Sequence, residues 1–351
     1  MKFEDSTPAP RSFRRMRRAA LAGVAAALTI TLLAGCGAST PAGGGSGNTD
    51  VAIGGSKFTT ADAETAKLGS DAAPGVFPRT LTHANGETTI EAKPSRVVVL
   101  DTGELDDVIS LGLTPVGIPT TEGASSIPSY LQDKVAGAKT VGTIQNLNLE
   151  AIAALKPDLI LGSQLRADKL YPQLSAIAPT IFSIRPGFPW KENFLLVGEA
   201  LGEENKAVEV LNAYQSAADE LKADVPADTK ISLVRFMPGK IRLYGNKSLI
   251  GVILKDAGLA RPENQNIEDL AAEVSPETIE QADSDWIFYS SYGEPAATGE
   301  DAVVNGALWP RMSAVSSGHA KPVNDDVWFL GLGPTGAQLV LKDLRTMMVA
   351  K

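Results

Sequence analysis

The fold of this chain is indicated most clearly by one run of residues, Leu149-Glu150-Ala151-Ile152-Ala153-Ala154-Leu155-Lys156-Pro157-Asp158-Leu159-Ile160-Leu161. Its first half predicts a short helix over 149–155, and its last three residues predict a strand. A second apolar run, Arg96-Val97-Val98-Val99-Leu100, is typical of a strand that is covered on both faces. Strands of this kind beside helices indicate an α/β fold.

Strands alternate with helices through short loops on both sides of this run. The predicted order is strand, helix, strand, helix, strand, helix, strand, at residues 97–100, 104–111, 115–118, 149–155, 159–161, 168–176 and 180–182. This order predicts a parallel sheet with helices on both faces. A β-hairpin with Asn85-Gly86 in its turn is expected before the sheet, and His83 is interpreted as a residue of that hairpin.

The second half of the chain repeats this plan. Four residues of the first half recur at one constant offset of 127 positions, namely Glu150, Ile152, Asp158 and Ile160 as Glu277, Ile279, Asp285 and Ile287. We therefore expect two Rossmann-like α/β lobes with mainly parallel sheets, at 73–190 and 224–351. A single long rigid helix at 191–223 is expected to join them, with Gly202 as the point where it could bend or divide. Because open α/β sheets bind ligands at the carboxyl ends of their strands, the ligand site is predicted in the cleft between the lobes.

A secretory leader precedes the predicted lobes. Five arginines (11, 14, 15, 17 and 18) are followed by an uncharged stretch from Ala19 to Gly35 and then by Cys36, which is the one cysteine of the chain. This order is typical of a signal peptide. Leu33-Ala34-Gly35-Cys36 resembles the lipobox of bacterial lipoproteins, which implies cleavage before Cys36 and lipidation of its thiol. The alternative is a transmembrane anchor, for which about seventeen apolar residues lie at the lower edge of a spanning length.

The resulting domain organisation is a lipoprotein signal peptide at 1–35, a flexible tether at 36–72, and the two lobes with their connecting helix. The tether is predicted because residues 37–72 are rich in Gly, Ser, Thr, Ala and Asp and cannot bury a core. The expected location is extracytoplasmic, with the protein anchored through Cys36 to the outer face of the cytoplasmic membrane.

Composition excludes several classes of function. With Cys36 lipidated, no cysteine is left for a disulfide, a thiolate zinc site or a nucleophile. The two histidines, His83 and His319, cannot form a three-histidine metal site. The leader carries a net charge of +4, so the whole-chain charge of −9 becomes about −13 on the mature chain, which argues against a nucleic-acid partner. No Gly-x-Ser-x-Gly motif is present, and the glycines at 331–336 lack a following βαβ unit, so we expect no enzyme activity.

Six segments across residues 76–350 carry a family resemblance as an ordered set. They are Thr82-His83-Ala84-Asn85-Gly86, Pro94-Ser95-Arg96-Val97-Val98, Leu149 through Ile160, Leu174-Ser175-Ala176-Ile177-Ala178-Pro179-Thr180, Gly251-Val252-Ile253-Leu254-Lys255-Asp256-Ala257-Gly258-Leu259 and Val274-Ser275-Pro276-Glu277. Together they resemble the substrate-binding lipoproteins of iron–siderophore ABC importers.

The resemblance implies a class III periplasmic binding protein, a monomer that captures a ferric siderophore between its lobes and delivers it to a permease dimer. Iron would be bound through the siderophore, with no cofactor and no metal ligand from the protein. The resemblance also implies that Glu150 and Glu277, one on each lobe, dock onto arginines of the permease. Each is also a first-turn glutamate that would stabilise its own helix. Capture of haem or cobalamin by the same scaffold is the alternative function.

Arginines and aromatic residues at strand ends are the candidate ligand contacts, because guanidinium groups pair with siderophore oxygens and rings supply rigid apolar contact. Arg166 follows the strand at 159–161 and matches an arginine of the family, and Arg235 ends the predicted strand at 231–234. The further candidates are Arg242, Tyr244, Trp328, Arg185, Trp190 and Tyr292. Trp286 and Trp309 are interpreted as packing residues and His319 as a turn residue.

Overall fold

Two β-sheets flanked by helices form most of the structure, a computed structural model that describes residues 64–121 and 125–349. The predicted signal peptide at 1–35, Cys36 and most of the predicted tether lie outside the described residues. In the part of the chain that is described, no helix is both long enough and apolar enough to cross a membrane.

The strands belong to two lobe sheets and one hairpin. In chain order they are β1 (Arg79–His83), β2 (Gly86–Ile90), β3 (Val97–Val99), β4 (Gly117–Thr120), β5 (Lys139–Thr143), β6 (Asn146–Leu147), β7 (Leu159–Ser163), β8 (Thr180–Ser183), β9 (Ile231–Met237), β10 (Lys240–Tyr244), β11 (Ala271–Val274), β12 (Trp286–Ser291) and β13 (Ala320–Pro322).

The α-helices in chain order are α1 (Thr102–Ser110), α2 (Leu149–Ala154), α3 (Gln164–Ala167), α4 (Tyr171–Ser175), α5 (Trp190–Leu201), α6 (Glu204–Asp224), α7 (Leu249–Asp256), α8 (Pro295–Thr298), α9 (Glu300–Val304), α10 (Ser313–Ser316), α11 (Asp325–Trp328) and α12 (Pro334–Met348). Short 3₁₀ helices occupy Thr65–Lys67, Ser129–Lys134, Asp168–Leu170, Glu263–Gln265, Pro276–Ala282 and Trp309–Arg311.

The first lobe is built on the six-stranded sheet β6-β5-β4-β3-β7-β8. Its neighbouring strands are parallel except at the edge, where β5 and β6 are antiparallel. The central strands β3 and β7 are buried along their whole length, as their continuous apolar sequences predict. Helix α1 begins after Asp101, whose carboxylate accepts a hydrogen bond from the Thr102 amide at 2.7 Å. The predicted parallel α/β organisation of this lobe is confirmed.

The second lobe is built on the five-stranded sheet β11-β10-β9-β12-β13, which is mixed. Strands β9, β12 and β13 are parallel, whereas β10 pairs antiparallel with both β9 and β11. The prediction of a mainly parallel sheet is therefore correct for β9, β12 and β13 and wrong for the pairings of β10. The physical reason is the short Pro238-Gly239 connection, which can join only antiparallel strands.

The repeat at an offset of 127 positions corresponds to a shared structure. In the first lobe the carboxylate of Asp158 accepts hydrogen bonds from the Ser95 and Arg96 amides, at 2.9 and 2.8 Å, just before β3. In the second lobe Asp285 accepts one from the Lys230 amide at 2.8 Å, just before β9. Each aspartate thus joins the start of its own strand to the neighbouring strand of the sheet.

The predicted hairpin is present, with a turn that differs by one residue. The register pairs His83 with Gly86, so Ala84 and Asn85 form the turn. Of these residues only Gly86 has positive φ, at 114°. His83 is buried, its Nε2 lies 2.9 Å from the Thr88 hydroxyl, and burial lowers its pKa to about 4. The interpretation of His83 as a hairpin residue is confirmed.

Residues 64–72 pack on the first lobe, so the predicted boundary of the flexible tether at residue 72 is wrong. The Ser70 amide donates to Glu199 Oε2 at 2.6 Å, and Gly69 forms an antiparallel bridge with Thr82. Thr65 is buried. Composition alone predicted a tether because composition does not reveal backbone hydrogen bonds to a helix that is distant in sequence.

The segment predicted as a single connecting helix is two helices, α5 and α6. Gly202 separates them because its φ of 66° is left-handed, a conformation that ends a helix. A Cβ at this position would lie 2.7 Å from the Phe77 ring, so packing also requires glycine. Helix α6 contacts both lobes: Glu204 at its start pairs with Arg79 of β1, and Tyr214 in its middle contacts Asp256 of α7.

The two lobes share one continuous apolar core. It includes Val97 and Leu159 of the first sheet, Leu211 of α6, and Leu233 and Phe288 of the second sheet, all of which are buried. Inter-lobe contacts that are large and apolar restrict the relative motion of the parts they join. The core therefore favours a single arrangement of the two lobes.

Two clusters of buried polar side chains also join elements that pack around this shared core. Lys191 Nζ and the Tyr214 hydroxyl donate to Asp256 Oδ2, at 2.7 and 2.8 Å, and both side chains of the ion pair are fully buried. In the second cluster Asp106 of α1 accepts hydrogen bonds from the Thr335 and Gly336 amides at the start of α12, at 3.1 and 2.9 Å. Each cluster joins elements that are distant in sequence, so it opposes separation of the lobes.

Candidate functional site

A cleft of about 360 Å³ lies between the two lobes. On the first lobe it is lined by Asp101, Arg166 and Arg185, which follow the carboxyl ends of β3, β7 and β8. On the second lobe it is lined by residues of β9, of β10 and of the start of α7. This is the sheet edge at which parallel strands present residues to a ligand.

Arg166 is held at the first-lobe side of the cleft by a buried carboxylate. Its Nε donates to Asp101 Oδ2 at 2.9 Å. The Asp101 side chain is 1% exposed, whereas that of Arg166 is 39% exposed. The hydrogen bond from Nε to Asp101 therefore fixes the orientation of the Arg166 guanidinium group, and Arg166 lines the cleft.

Arg235 is held more completely on the second-lobe side. It lies inside β9 and not at the strand end, because β9 continues to Met237. Nε and Nη2 donate to the two carboxylate oxygens of Asp325, at 2.7 and 2.5 Å, and Nη1 donates to the Tyr244 hydroxyl at 3.2 Å. Burial opposes the charge, but the hydrogen bonds to Asp325 and Tyr244 raise the pKa of Arg235, so it stays protonated.

Arg242 lies directly opposite Arg235 on the neighbouring strand β10. Like charges at such a pair of positions repel each other. Glu273 on β11 offsets this repulsion, since Arg242 Nε lies 3.2 Å from its Oε1. Arg242 and Tyr244 both line the cleft, as their alternation along one strand predicts.

Arg185 and Lys247 come from opposite lobes and meet at one ring. The Arg185 guanidinium carbon lies 5.0 Å from the centroid of the Phe188 ring, and Lys247 Nζ lies 5.6 Å from the same centroid. Both cations line the cleft. Arg185 Nε is buried and has no hydrogen-bond acceptor among the described residues.

The prediction of Trp190 as a ligand contact is wrong because its ring is a core residue outside the cleft, whereas Trp328 is buried but does line the cleft. Trp190 is fully buried and packs edge-on against Tyr214 at 4.8 Å between ring centroids, outside the cleft. Trp328 borders the cleft floor but is also fully buried, and its Nε1 donates to Asp343 at 3.0 Å. Neither ring offers an open face to a ligand.

The remaining aromatic candidates lie at the cleft and pack on Arg235 or its neighbours. The Arg235 guanidinium carbon lies 4.6 Å from the Tyr292 ring centroid and 5.2 Å from that of Phe329. Tyr244 packs edge-on against Phe329 at 4.8 Å. These rings build a rigid wall around a guanidinium group.

A buried acid lies behind the Asp101–Arg166 pair. Glu104, in the first turn of α1, is buried, and its Oε2 has no partner among the described residues. Burial, together with the charge of Asp101, raises the pKa of Glu104 to about 8, while the charge of Arg166 lowers it. Glu104 therefore carries a proton at neutral pH, and its proton affinity depends on the position of Arg166.

Sequence reasoning missed Asp101, Asp325, Phe188 and Lys247. Asp101 follows a predicted strand, so the rule that found Arg166 could have found it as well. Lys247 follows β10, whose antiparallel direction was not predicted, and Asp325 lies far from Arg235 in sequence. No sequence signal identified these last two residues.

The two predicted docking residues are exposed and lie in equivalent places. Glu150 is in the first turn of α2, and Glu277 is in the first turn of the 3₁₀ helix Pro276–Ala282. Trp309 is buried in the second-lobe core, as expected for a packing residue. Trp286 stacks on His319 at 4.1 Å between ring centroids.

The geometry defines a two-lobed ligand-binding protein, and comparison with known proteins gives its family. The sequence profile of the periplasmic binding proteins matches residues 97–324, and this chain belongs to that family. A relative in Bacillus subtilis, named a probable siderophore-binding lipoprotein, YfiY, is 36% identical over 76% of this chain and 87% of its own length. The Fe(3+)-citrate-binding protein YfmC of the same organism is 30% identical over 76% of this chain and 84% of its own length.

Solved structures agree with this assignment. The crystal structure of Staphylococcus aureus SirA complexed with staphyloferrin B superposes with a TM-score of 0.70 and is 30% identical, covering 77% of this chain and 98% of SirA. The family is one of substrate-binding proteins. Within residues 64–121 and 125–349, no three His, Cys, Asp or Glu side chains are grouped to hold a metal ion.

Proposed function

We propose that this chain is an extracytoplasmic, lipid-anchored solute-binding protein that captures a ferric siderophore in its cleft and delivers it to an ABC permease for iron uptake. The observation that carries the proposal is the set of cationic side chains brought to one cleft by both lobes: Arg166, Arg185, Arg235, Arg242 and Lys247. A ferric siderophore is often anionic, and guanidinium groups bind its oxygens with fixed geometry. The names of YfiY, YfmC and the SirA complex support this ligand class.

Binding is proposed to occur without chemistry and with little lobe motion. The shared apolar core and the clusters around Asp256 and Asp106 oppose rotation of one lobe against the other. Arg166 and Arg235 are already oriented by ion pairs with Asp101 and Asp325, so little side-chain ordering is needed on binding. Affinity then comes from a cleft that is preformed.

Delivery is proposed to use Glu150 and Glu277. Both carboxylates are exposed at equivalent positions of the two lobes, so one protein molecule presents two negative charges to a partner. Paired charges of this kind fix orientation and speed encounter with a surface of opposite sign. The partner is proposed to be a permease dimer with arginines at the two matching positions, bound by a monomer of this protein.

Anchoring is proposed to occur through lipidation of Cys36, with the tether giving the lobes reach from the membrane. Labelling of expressing cells with a radioactive fatty acid tests this step. The wild-type protein is expected to incorporate the label and Cys36→Ser is expected not to. Equal labelling of both would contradict lipidation at Cys36.

Haem, whose iron is usually bound by a histidine or a tyrosine, is the weaker alternative. Neither histidine lines the cleft, the Tyr244 hydroxyl accepts a hydrogen bond from Arg235, and the Tyr292 ring packs on the same guanidinium group. His83 is part of the hairpin, and His319 stacks on Trp286. The deciding experiment is a tryptophan-fluorescence titration of the detergent-solubilised full chain with a panel of ferric siderophores, haem and cobalamin. Saturable quenching by at least one ferric siderophore is expected. Saturation by haem or cobalamin alone would overturn the proposal.

A further inference from the structure

The cleft holds more positive charge than its carboxylates balance. Three of its cations have an acidic partner, since Arg166 pairs with Asp101, Arg235 with Asp325 and Arg242 with Glu273. Arg185 and Lys247 make no ion pair among residues 64–121 and 125–349. The net excess in the described cleft is therefore two positive charges, contributed by one side chain from each lobe.

These two cations are concentrated in one place. Both lie close to the Phe188 ring, which belongs to the segment between β8 and α5. The buried Nε of Arg185 has no acceptor in the part of the chain that the structure describes, and an unsatisfied buried donor of this kind costs free energy until an acceptor binds. The start of α7, capped by Ser248, lies beside Lys247 and adds the positive end of a helix dipole. This end of the cleft is suited to an anionic group.

Aromatic rings that line the cleft already pack on protein groups and so offer little open surface to a ligand rich in rings. The Tyr292 and Phe329 rings pack on Arg235, and Trp328 is fully buried. A ferric tris-catecholate is also anionic, but its negative charge is on oxygens that coordinate the iron, and its exposed rings gain most from open ring faces. A trihydroxamate chelate of ferric iron carries little negative charge and would leave Arg185 and Lys247 unpaired.

We propose that the cleft selects a ferric chelate that carries free carboxylate groups, of the citrate or hydroxycarboxylate type, with a carboxylate bound between Arg185 and Lys247. The planar fork of Arg185 donates two parallel hydrogen bonds to a carboxylate, and Lys247 supplies a second positive charge from the other lobe. Arg166 and Arg235 keep their protein carboxylates and border the chelate. This inference rests on the proposed function and specifies its ligand class.

Calorimetric titration of the detergent-solubilised full chain tests the inference with three probes: ferric citrate, a ferric tris-catecholate and ferrioxamine B, a ferric trihydroxamate. Ferric citrate is expected to bind at least tenfold more tightly than either of the others. Tighter binding of the catecholate or the hydroxamate would overturn the inference while leaving the proposed function intact. Binding of none of the three ferric chelates would contradict the proposed function itself.

Variants then locate the carboxylate. Arg185→Gln and Lys247→Gln are each expected to reduce ferric citrate affinity by at least tenfold and to weaken its dependence on salt concentration. Lys255→Gln, which removes an exposed lysine of α7 outside the cleft, is the matched control and is expected to bind as the wild type does. Unchanged affinity in both cleft variants would overturn the assigned site, whatever the ligand preference.

Discussion

Arg235 donates to both carboxylate oxygens of Asp325, at 2.7 and 2.5 Å, and the two side chains are only 7% and 10% exposed. Arg166 makes a single hydrogen bond to Asp101 and is 39% exposed. The two arginines predicted from strand ends therefore differ in kind. Arg235 is part of the folded structure of the second lobe, whereas Arg166 is an exposed group that a buried carboxylate orients.

This difference predicts separable effects of substitution. Arg166→Ala is expected to weaken siderophore binding by about 1.5–3 kcal/mol, the scale of a charged hydrogen bond. Its effect on Tm is expected to be smaller than that of Arg235→Ala, because Arg166 makes one hydrogen bond to Asp101 and is itself 39% exposed. Arg235→Ala is expected to weaken binding and also to lower Tm, because it leaves Asp325 without its bidentate partner. Calorimetric titration and thermal denaturation measure the two effects, with the exposed Arg311→Ala as control. Unchanged affinity in both variants would remove these residues from the site.

Substitution at Glu150 and Glu277, the proposed docking residues, is expected to separate binding from transport. Glu150→Gln and Glu277→Gln leave the cleft untouched, so siderophore affinity should equal that of the wild type, whereas uptake of radioactive iron by cells should fall. The double variant should be impaired more than either single one. Glu87→Gln, at an exposed position of β2, serves as the control. Normal uptake in the double variant would mean that docking is assigned to the wrong residues.

The shared core predicts that the lobes move little on binding. Small-angle X-ray scattering of the protein with and without ligand should give radii of gyration that agree within error, because α6, α12 and the apolar core join both lobes. A clear decrease in radius on binding would contradict a preformed cleft.

Asp256 is expected to be a major determinant of stability. Asp256→Ala leaves Lys191 buried without its carboxylate and removes the acceptor of the Tyr214 hydroxyl, so a loss of about 3–5 kcal/mol is expected. Urea denaturation measures it. The matched control is Asp224→Ala, since Asp224 pairs with Arg345 at the surface and should contribute less than about 1 kcal/mol. Equal losses in the two variants would show that the buried ion pair contributes no more to the free energy of unfolding than the surface pair does.

Glu104 makes stability dependent on pH. Its folded-state pKa of about 8 lies above the unfolded value, so between these values the folded state binds a proton that the unfolded state lacks. The contribution of Glu104 to the free energy of unfolding therefore falls as pH rises from about 4.5 to about 8, at up to ~1.4 kcal/mol per pH unit.

Replacement by a neutral isostere tests this dependence. Relative to the wild type, Glu104→Gln should become progressively more stable as pH rises through the same window, and the difference should level off above it. Denaturant unfolding at a series of pH values measures the difference. A difference that does not change with pH would mean that Glu104 ionises normally in the folded protein.

The sequence by itself determined the local elements and their repetition. Apolar runs such as Val97-Val98-Val99 give buried strands, and Asp158 and Asp285 occupy matching positions because both lobes need the same connection at the start of a strand. It also placed Arg166 at the correct sheet edge, because the carboxyl ends of parallel strands lie at one edge. The strands and the position of Arg166 depend on residues that are near one another in the chain, and the repeat is visible because both lobes use the same residue types at one constant offset.

Only the tertiary structure decided which side chains face the cleft and which partners hold them. The structure shows that Trp190 and Trp328 are buried and that Gly202 divides the connecting segment into two helices. It also shows that Lys247 of the second lobe lies near the Phe188 ring. The physical reason is that burial and charge pairing depend on contacts between residues far apart in sequence, as between Arg235 and Asp325. Periodicity along the chain carries no information about those distances.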